Sequence, residues 1–407
     1  MRIAIVGGGA SGLIAAISAT QNGAEVTVFE RNDRIGKKIL VTGNGKCNLS
    51  NTAFSASHYY TSDPSYMMAR FSEFGVEDTI AFFSSIGLLL TDRDGYLYPR
   101  CEQASAVLDV LRFTLERLAV RIVTSCAVRR ITKKGAVFSV ATGQGEELFD
   151  RVIVSCGNIA GLNPPKGGKL SPDSFLSLFP PHTFQIAPFT PALTALRCKE
   201  EYCKALAGVR AKGTLHFATE TGDVSESGEI QFTDYGVSGI PAFQLSRQIG
   251  VQLMTEPAVP VTFDFFPDLS YEDLKKRIKE RYESLGDLTL ERFFTGTVHK
   301  KVLPVFFKMT GIKPQEKTSA VTLERITEAA FVLKRLPFTC TALNPYQNAQ
   351  VCAGGILLSE LNEHFESRAV KGLYLTGEIL DVDGMCGGYN LQWAWTSGFL
   401  AGRSASC

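Results

Sequence analysis

Gly7, Gly9 and Gly12 stand at the spacing G-x-G-x-x-G, and Glu30 follows 18 residues after the last of them. That set can bind the pyrophosphate of a dinucleotide. The first glycine permits a tight turn, the second lets a phosphate approach the backbone, and the third lets a helix and a strand pack closely. Ala10, Ser11 and Gly12 would open a helix whose unpaired N–H groups and positive dipole end face the phosphates. A carboxylate at Glu30, followed by Arg31, can accept hydrogen bonds from the ribose hydroxyls of an adenosine and would repel a 2′-phosphate. The fingerprint alone does not separate FAD from NAD.

The elements around these residues agree with that chemistry. Residues 2–6 are a short apolar, β-branched run that reads as a buried parallel strand. Leu13–Gln21 reads as a helix, Asn22-Gly23 breaks it, and Glu25–Phe29 reads as a second strand ending at Glu30. Next comes Arg34–Asn51, in which Gly36, Gly43 and Gly45 alternate with Lys37, Lys38 and Lys46. This is expected to be a flexible basic loop able to wrap an anion, although its composition equally describes a solvated surface loop. Near the other end, Leu373–Thr376 reads as a strand. An acidic, glycine-rich loop follows, and a closing helix begins at about Asn390. Gly387-Gly388 before that helix supplies a second set of backbone N–H donors at a helix N-terminus.

Together these segments resemble one family, and the likeness covers nearly the whole chain. It comprises bacterial flavoproteins with a glutathione-reductase-like FAD domain, known as NAD(P)/FAD-dependent or aminoacetone-oxidase-family oxidoreductases and including reductases of dehydro-bile-acid double bonds. Gly36–Asn51 resembles its G-K-K-x-x-x-T-G-x-G-[RK]-C-N-x-[ST]-N signature, here with Thr42, Gly43, Asn44, Gly45, Cys47 and Asn48. Gly377–Ala394 resembles G-E-x-x-D-x-x-G-x-x-G-G-Y-N-L-Q-W-A, and Glu229–Gly239 looks like G-E-[LI]-x-F-T-x-x-G-x-S-G. The resemblance implies FAD, with the isoalloxazine under the C-terminal loop. It implies that Glu378 or Asp381 binds the ribityl or pyrophosphate region, and that Gly377, Gly387, Gly388 and Tyr389 border the flavin. The N–H groups near Asn390 and Leu391 would face the pyrimidine ring. Ser155 and Gly157 occupy the turn that usually reads A-T-G-G in such domains, with Ser155-Cys156 departing from it, and Val128 fits the position whose backbone meets the adenine.

The expected fold class is α/β: a Rossmann-like, glutathione-reductase-type FAD domain built from both chain ends, with an inserted β-rich plus helical domain. The expected limits are 1–188 and 345–407 for the FAD domain and 189–344 for the insertion, with turns at Pro180-Pro181 and Asn344-Pro345. Within the insertion, Leu193–Arg197, Val209–Ala218, Gly228–Thr233 and Pro260–Phe265 read as strands. Tyr271–Ser284 reads as a helix behind a capping box at Ser270 and Asp273, and Leu288–Phe294, Pro304–Met309 and Val321–Ala330 look helical.

Several constellations are missing from the sequence. Cys47 has Thr42 where a dithiol relay would place its second cysteine. Cys198 and Cys203 have the relay spacing but lie in the insertion and read as packed thiols. Cys386 would lie near the flavin. The five histidines form no ligand-spaced pair, so no metal site is expected. A second G-x-G-x-x-G is absent, so NAD(P)H would visit transiently as donor. Arg100 and Tyr235 are candidate substrate contacts.

The 407 residues, 45% hydrophobic with a formal net charge of +1, describe a globular chain without a charged tail. No nucleic acid or membrane partner is therefore expected, and the ten cysteines read as reduced thiols of a cytoplasmic protein. The expectation is an FAD-dependent oxidoreductase that passes hydride through flavin N5, an NAD(P)H-dependent reductase of a small organic or enone-type substrate. An amine or aminoketone oxidase using dioxygen and a non-catalytic flavin redox sensor are the alternatives.

Overall fold

The computed structural model describes residues 1–160, 174–219 and 222–407. These fall into two compact units, Met1–Thr190 with Val351–Cys407, and Pro191–Gln350.

The first unit is built on a five-stranded parallel sheet. Its order is Leu373–Leu375, Arg151–Val154, β1 (Arg2–Val6), β2 (Glu25–Phe29) and Arg121–Val123. Four of the five residues of β1 are buried, as a central parallel strand requires. Helix α1 (Ala10–Gln21) crosses between β1 and β2 and is buried from Ser11 to Ala19. It begins at Ala10 rather than Leu13, so the glycine turn is shorter than its composition suggests. The closing helix (Tyr389–Ala405) lies directly on α1. Gly398 and Gly402, one turn apart, allow that approach: a Cβ at either would come within 2.3 or 2.4 Å of the carbonyl oxygen of Ser11 or Ala15.

The basic segment is not a simple flexible loop. Lys37–Val41 forms a short helix whose Ile39 is buried, and Thr42–Gly45 forms a tight turn with Gly43 and Asn44 in the left-handed region. Burial of one isoleucine side chain, worth roughly 1.5–3 kcal/mol, anchors what the glycines and lysines would leave loose.

The second unit contains a closed six-stranded antiparallel barrel. Its strands are Leu196–Cys198, Gly236–Gly239, Gly222–Thr233, Arg210–Thr219, Val259–Asp264 and Leu336–Leu343, in that order around the ring. Leu215, Phe217, Ile230, Phe232, Val261, Phe263 and Phe338 fill its core. Helices Tyr271–Leu285, Leu290–Phe294, Val302–Thr310 and Leu323–Val332 make up the helical portion. The capping box is present: Ser270 Oγ accepts the Asp273 N–H at 3.0 Å, and the Asp273 carboxylate accepts the Ser270 N–H at 3.2 Å. A helix running from Val321 is corrected: Thr318–Ala320 is a separate 3-10 turn, and Thr322 caps a helix that starts at Leu323.

Candidate functional site

The turn after β1 places its glycines by contact with neighbouring backbone. Gly7 has φ +111°, and a Cβ there would lie 2.4 Å from the Ser155 carbonyl oxygen. A Cβ on Gly12 would lie 2.0 Å from the Gly7 carbonyl oxygen. Gly9 is different: it is extended (φ −86°, ψ −170°) and a Cβ there would meet nothing within 4 Å. The fold therefore requires hydrogen at positions 7 and 12, whereas at 9 it leaves open space in front of the N-terminus of α1. No side chain caps that helix, and its first turn holds no acidic residue. An exposed positive dipole end facing open space suits an anion.

Glu30, at the end of β2, is 7% exposed and fully engaged. Its Oε2 accepts the Gly8 N–H at 2.9 Å, and its Oε1 accepts the Asn32 N–H at 2.7 Å and Asn32 Nδ2 at 2.6 Å. The carboxylate thus fixes the glycine turn from below. The Cys126 N–H donates to the Glu30 carbonyl, which brings the segment leading to Val128 alongside.

Behind the turn, Ser155 Oγ and Thr376 Oγ1 are 2.7 Å apart. This ties the ends of two sheet strands. Gly157 (φ +61°) turns toward Glu378, whose Oε2 lies 3.6 Å from its Cβ direction. Lys38 Nζ reaches the same carboxylate oxygen at 2.7 Å, so the basic segment and the C-terminal loop meet at an ion pair. Asn158 Nδ2 donates to the Glu378 carbonyl at 3.3 Å. Gly377 (φ +73°) packs on Ser11: a Cβ there would lie 2.6 Å from Ser11 Oγ. Asp381 is buried and accepts the Ser62 N–H at 3.0 Å.

The closing helix is fixed at its start by residues from both loops. A Cβ on its cap, Gly388, would lie 2.6 Å from the Ser50 carbonyl oxygen. Asn51 Nδ2 donates to the Gly387 carbonyl at 3.0 Å, and Ser50 Oγ donates to Gln392 Oε1 at 2.6 Å. The two tryptophans of the chain are buried in this helix and donate to the same two loops, Trp393 to the Gly377 carbonyl and Trp395 to the Leu49 carbonyl. Asn390 folds its side chain back, accepting the Gly384 N–H at 2.9 Å and donating to the Gly384 carbonyl at 2.7 Å. Its side chain braces the loop. Tyr389 is wedged by His58, whose ring lies 4.6 Å away, and by Tyr59, whose hydroxyl donates to the Tyr389 carbonyl.

Two groups at this site bear on its chemistry. Cys47 is fully buried, and burial pushes its thiol up to about 12, with a Thr42 hydrogen bond opposing. It is a thiol, not a thiolate, at neutral pH. Asn48 Oδ1 is buried without a hydrogen-bond partner, an acceptor waiting for a donor.

The expected residues 7–12, 30, 37–48, 155–157, 377–381 and 387–391 are thus drawn together around the end of one sheet. The open cradle, the uncapped helix and the orphaned Asn48 acceptor fit an extended anionic dinucleotide with a hydrogen-bonding ring. The sequence did not assign Ser50, Asn51, His58, Tyr59, Thr376 or Gln392. Ser50, Asn51 and Gln392 fall inside the two signatures, whereas nothing in the sequence marked His58 beyond a lone histidine. Arg100 is exposed on the first unit, and Tyr235 lies in the second. Among the described residues no helix is long and apolar enough to cross a membrane.

A family model described as HI0933-like protein Rossmann domain matches residues 1–404. The 3-dehydro-bile acid delta(4,6)-reductase of Clostridium scindens is 38% identical over 409 residues, spanning 100% of this chain and 99% of the relative. The ribosomal RNA dihydrouridine synthase of Haemophilus influenzae is 26% identical over 99% of this chain and 98% of its own. Its counterpart in Escherichia coli is 26% identical over 98% of this chain and 96% of its own. In fold, the 3-ketosteroid delta1-dehydrogenase from Sterolibacterium denitrificans matches with a TM-score of 0.51 and 12% identity over 99% of each chain. The expectation that nucleic acid is no partner finds no support here, because two full-length relatives are named for ribosomal RNA.

Proposed function

The chain belongs to the HI0933-like family of FAD-dependent oxidoreductases, and from that premise we propose that it reduces the conjugated double bond of a small apolar enone, with NAD(P)H as a transient hydride donor. The observation that carries this reading is the 38% identity, over essentially the whole of both chains, to a relative named as a reductase of a dehydro-bile acid. FAD supplies a ring that accepts a hydride from a donor and passes it to a substrate.

Ala10, Ser11 and Gly12 would hold the pyrophosphate, with Gly9 leaving it room. Glu30, Arg31, Val128, Ser155 and Gly157 would line the adenosine end. Lys37, Lys38, Thr42, Gly43, Asn44, Gly45, Cys47 and Asn48 would border the flavin from one loop. Gly377, Glu378, Asp381, Gly387, Gly388 and Tyr389 would border it from the other. The backbone N–H groups at Asn390 and Leu391, at a helix N-terminus, would favour negative charge on the pyrimidine side of the ring. Asn48 Oδ1 would accept a ring N–H. Cys47, enclosed by protein and held as a thiol, would support the loop that borders the ring, and with Thr42 in the partner position it would form no disulfide.

The test is an anaerobic titration of the purified holoenzyme with NADH and NADPH, followed by a 3-oxo-delta(4) steroid. The expected result is bleaching of the flavin by one nicotinamide and recovery of its absorbance on adding the enone. Failure of both nicotinamides to bleach it, with peroxide release from an amine in air, would contradict the reading. A second reading, reduction of uracil rings in RNA, is favoured by the two full-length relatives named ribosomal RNA dihydrouridine synthases. Recovery by uridine-containing ribosomal RNA and not by the enone selects it.

A further inference from the structure

Arg197 lies on the barrel strand Leu196–Cys198 with its side chain exposed. Its cross-strand neighbours are Gly236 on one side and Ala342 on the other. Neither covers it. The guanidinium carbon lies 4.9 Å from the centre of the Tyr235 ring. One amino group, Nη1, donates to Asn344 Oδ1 at 3.1 Å. Asn344 is buried, its N–H donating to the Ala195 carbonyl, and its Nδ2 donates to the Tyr235 hydroxyl oxygen at 3.0 Å. One buried amide therefore orients both side chains.

That arrangement leaves donors over. Among the described residues Arg197 has no carboxylate within ion-pair distance, although Asp234 precedes Tyr235 and Glu200 lies three residues further along the chain; Glu200 accepts the Thr339 N–H instead. With Nη1 used, the Nε–Nη2 edge of the guanidinium remains free, and this edge presents two parallel N–H groups. The Tyr235 hydroxyl accepts from Asn344, so its own hydrogen is free to donate. Three donors and one uncompensated positive charge are held by a buried residue, with small neighbours keeping the approach open.

The geometry points to an organic monocarboxylate as the ligand of this cluster, held by the Arg197 Nε–Nη2 edge with the Tyr235 hydroxyl as third donor. Asn344 is the positioning residue. A carboxylate matches the planar fork with its two oxygens and balances one positive charge, whereas a phosphate dianion would leave charge unbalanced. The site lies wholly within the second unit and stands apart from the proposed function: neither requires the other.

The test is a ligand-observed NMR titration of the holoenzyme with benzoate, and separately with inorganic phosphate, at pH 7. Benzoate is expected to bind with a Kd on the order of 1 mM, as one charge-assisted pair at an open surface allows. Arg197→Met is expected to weaken it at least about 10-fold and Tyr235→Phe about 3-fold. Arg197→Lys, which keeps the charge and loses the fork, is expected to fall between wild type and Arg197→Met. Asn344→Ala, with Arg197 and Tyr235 intact, is expected to weaken benzoate, and melting curves establish that it is folded. Benzoate binding that is undetectable, or equal in wild type and Arg197→Met, overturns the site. Phosphate binding tighter than benzoate overturns the carboxylate assignment.

Discussion

Replacing Gly398 by alanine sets two effects against each other. Alanine is the better helix former, by about 0.8–1 kcal/mol, in a helix as regular as this one. Its methyl group, however, would lie 2.3 Å from the Ser11 carbonyl oxygen and 2.6 Å from Ile14 Cγ2. The oxygen belongs to the backbone of α1, so it cannot turn aside; the two helices must separate. Overpacking of this kind costs about 1–3 kcal/mol, which exceeds the propensity gain over most of its range. The net loss is therefore about 1 kcal/mol at the middle of that range and about 2 kcal/mol at its upper end, or a fall in Tm of roughly 2–8 °C for a unit of this size. The separation also moves the start of α1 away from Gly377, whose Cβ direction lies 2.6 Å from Ser11 Oγ, so FAD retention should fall with it. Thermal melts of apo and FAD-loaded protein measure both. An unchanged or raised Tm with full FAD content would show that propensity wins, and would refute the close helix approach as the device that sets the cradle. Gly402→Ala, 2.4 Å from the Ala15 oxygen, should behave alike.

Lys334→Met should be costly. Lys334 Nζ donates to Asp264 Oδ2 and to the Phe266 and Leu269 carbonyls within a buried site, so the change strands a buried carboxylate. A loss of about 3–5 kcal/mol in urea unfolding is expected, and a loss below about 1 kcal/mol contradicts it. Asp287 is held down at about 2 by Ser319 and Lys317, below its unfolded value of about 3.9. Its folded pKa is depressed, so its contribution is full above about pH 4 and is lost as pH falls toward 2. Asp287→Asn should lower stability by a constant amount above about pH 4 and flatten the profile between about pH 4 and 2, where the two proteins converge. Iodoacetamide at pH 8 should label the exposed Cys101 and Cys407 in the native protein while Cys47 and Cys156, both pushed up to about 12 by burial, stay intact. Equal labelling of Cys47, read by mass spectrometry, would contradict that.

The parts of the fold that were legible in the sequence are those governed by local rules. β1 is a β-branched run, Glu25–Phe29 is observed within the same bounds, and the closing helix starts one residue before its expected position. The barrel was harder. Its strand Leu336–Leu343 carries Pro337, which argues against a strand, but pairs through both neighbours with Pro337 facing out. Gly236–Gly239 is too short and glycine-rich to announce itself, yet Gly236 is required there because a Cβ would lie 2.1 Å from the Leu196 oxygen. The helix at Lys37–Val41 was hidden among glycines and lysines because burial of Ile39 is a tertiary fact. In the candidate site the glycines, Glu30 and the two loops were legible by spacing and signature. The engagement of Glu30 by Gly8 and Asn32, the Lys38–Glu378 pair, and the pinning of the closing helix by Ser50 and Asn51 depend on segments hundreds of residues apart or on exact side-chain direction, which spacing does not encode.

If the open space before α1 receives the FAD pyrophosphate, as proposed, Gly9→Val should empty the site of flavin. Position 9 is extended, and a Cβ there meets no protein atom within 4 Å, so the fold leaves room for a side chain to start there. Only a bound pyrophosphate would object. Flavin released by heat from the purified proteins, quantified against protein, is expected to be FAD at about one per chain in wild type. In Gly9→Val it should be nearly absent, while the apo protein stays folded with its Tm lowered by no more than a few degrees through the poorer helix cap. Gly9→Val protein that retains a full complement of FAD would rule out this space as the pyrophosphate site.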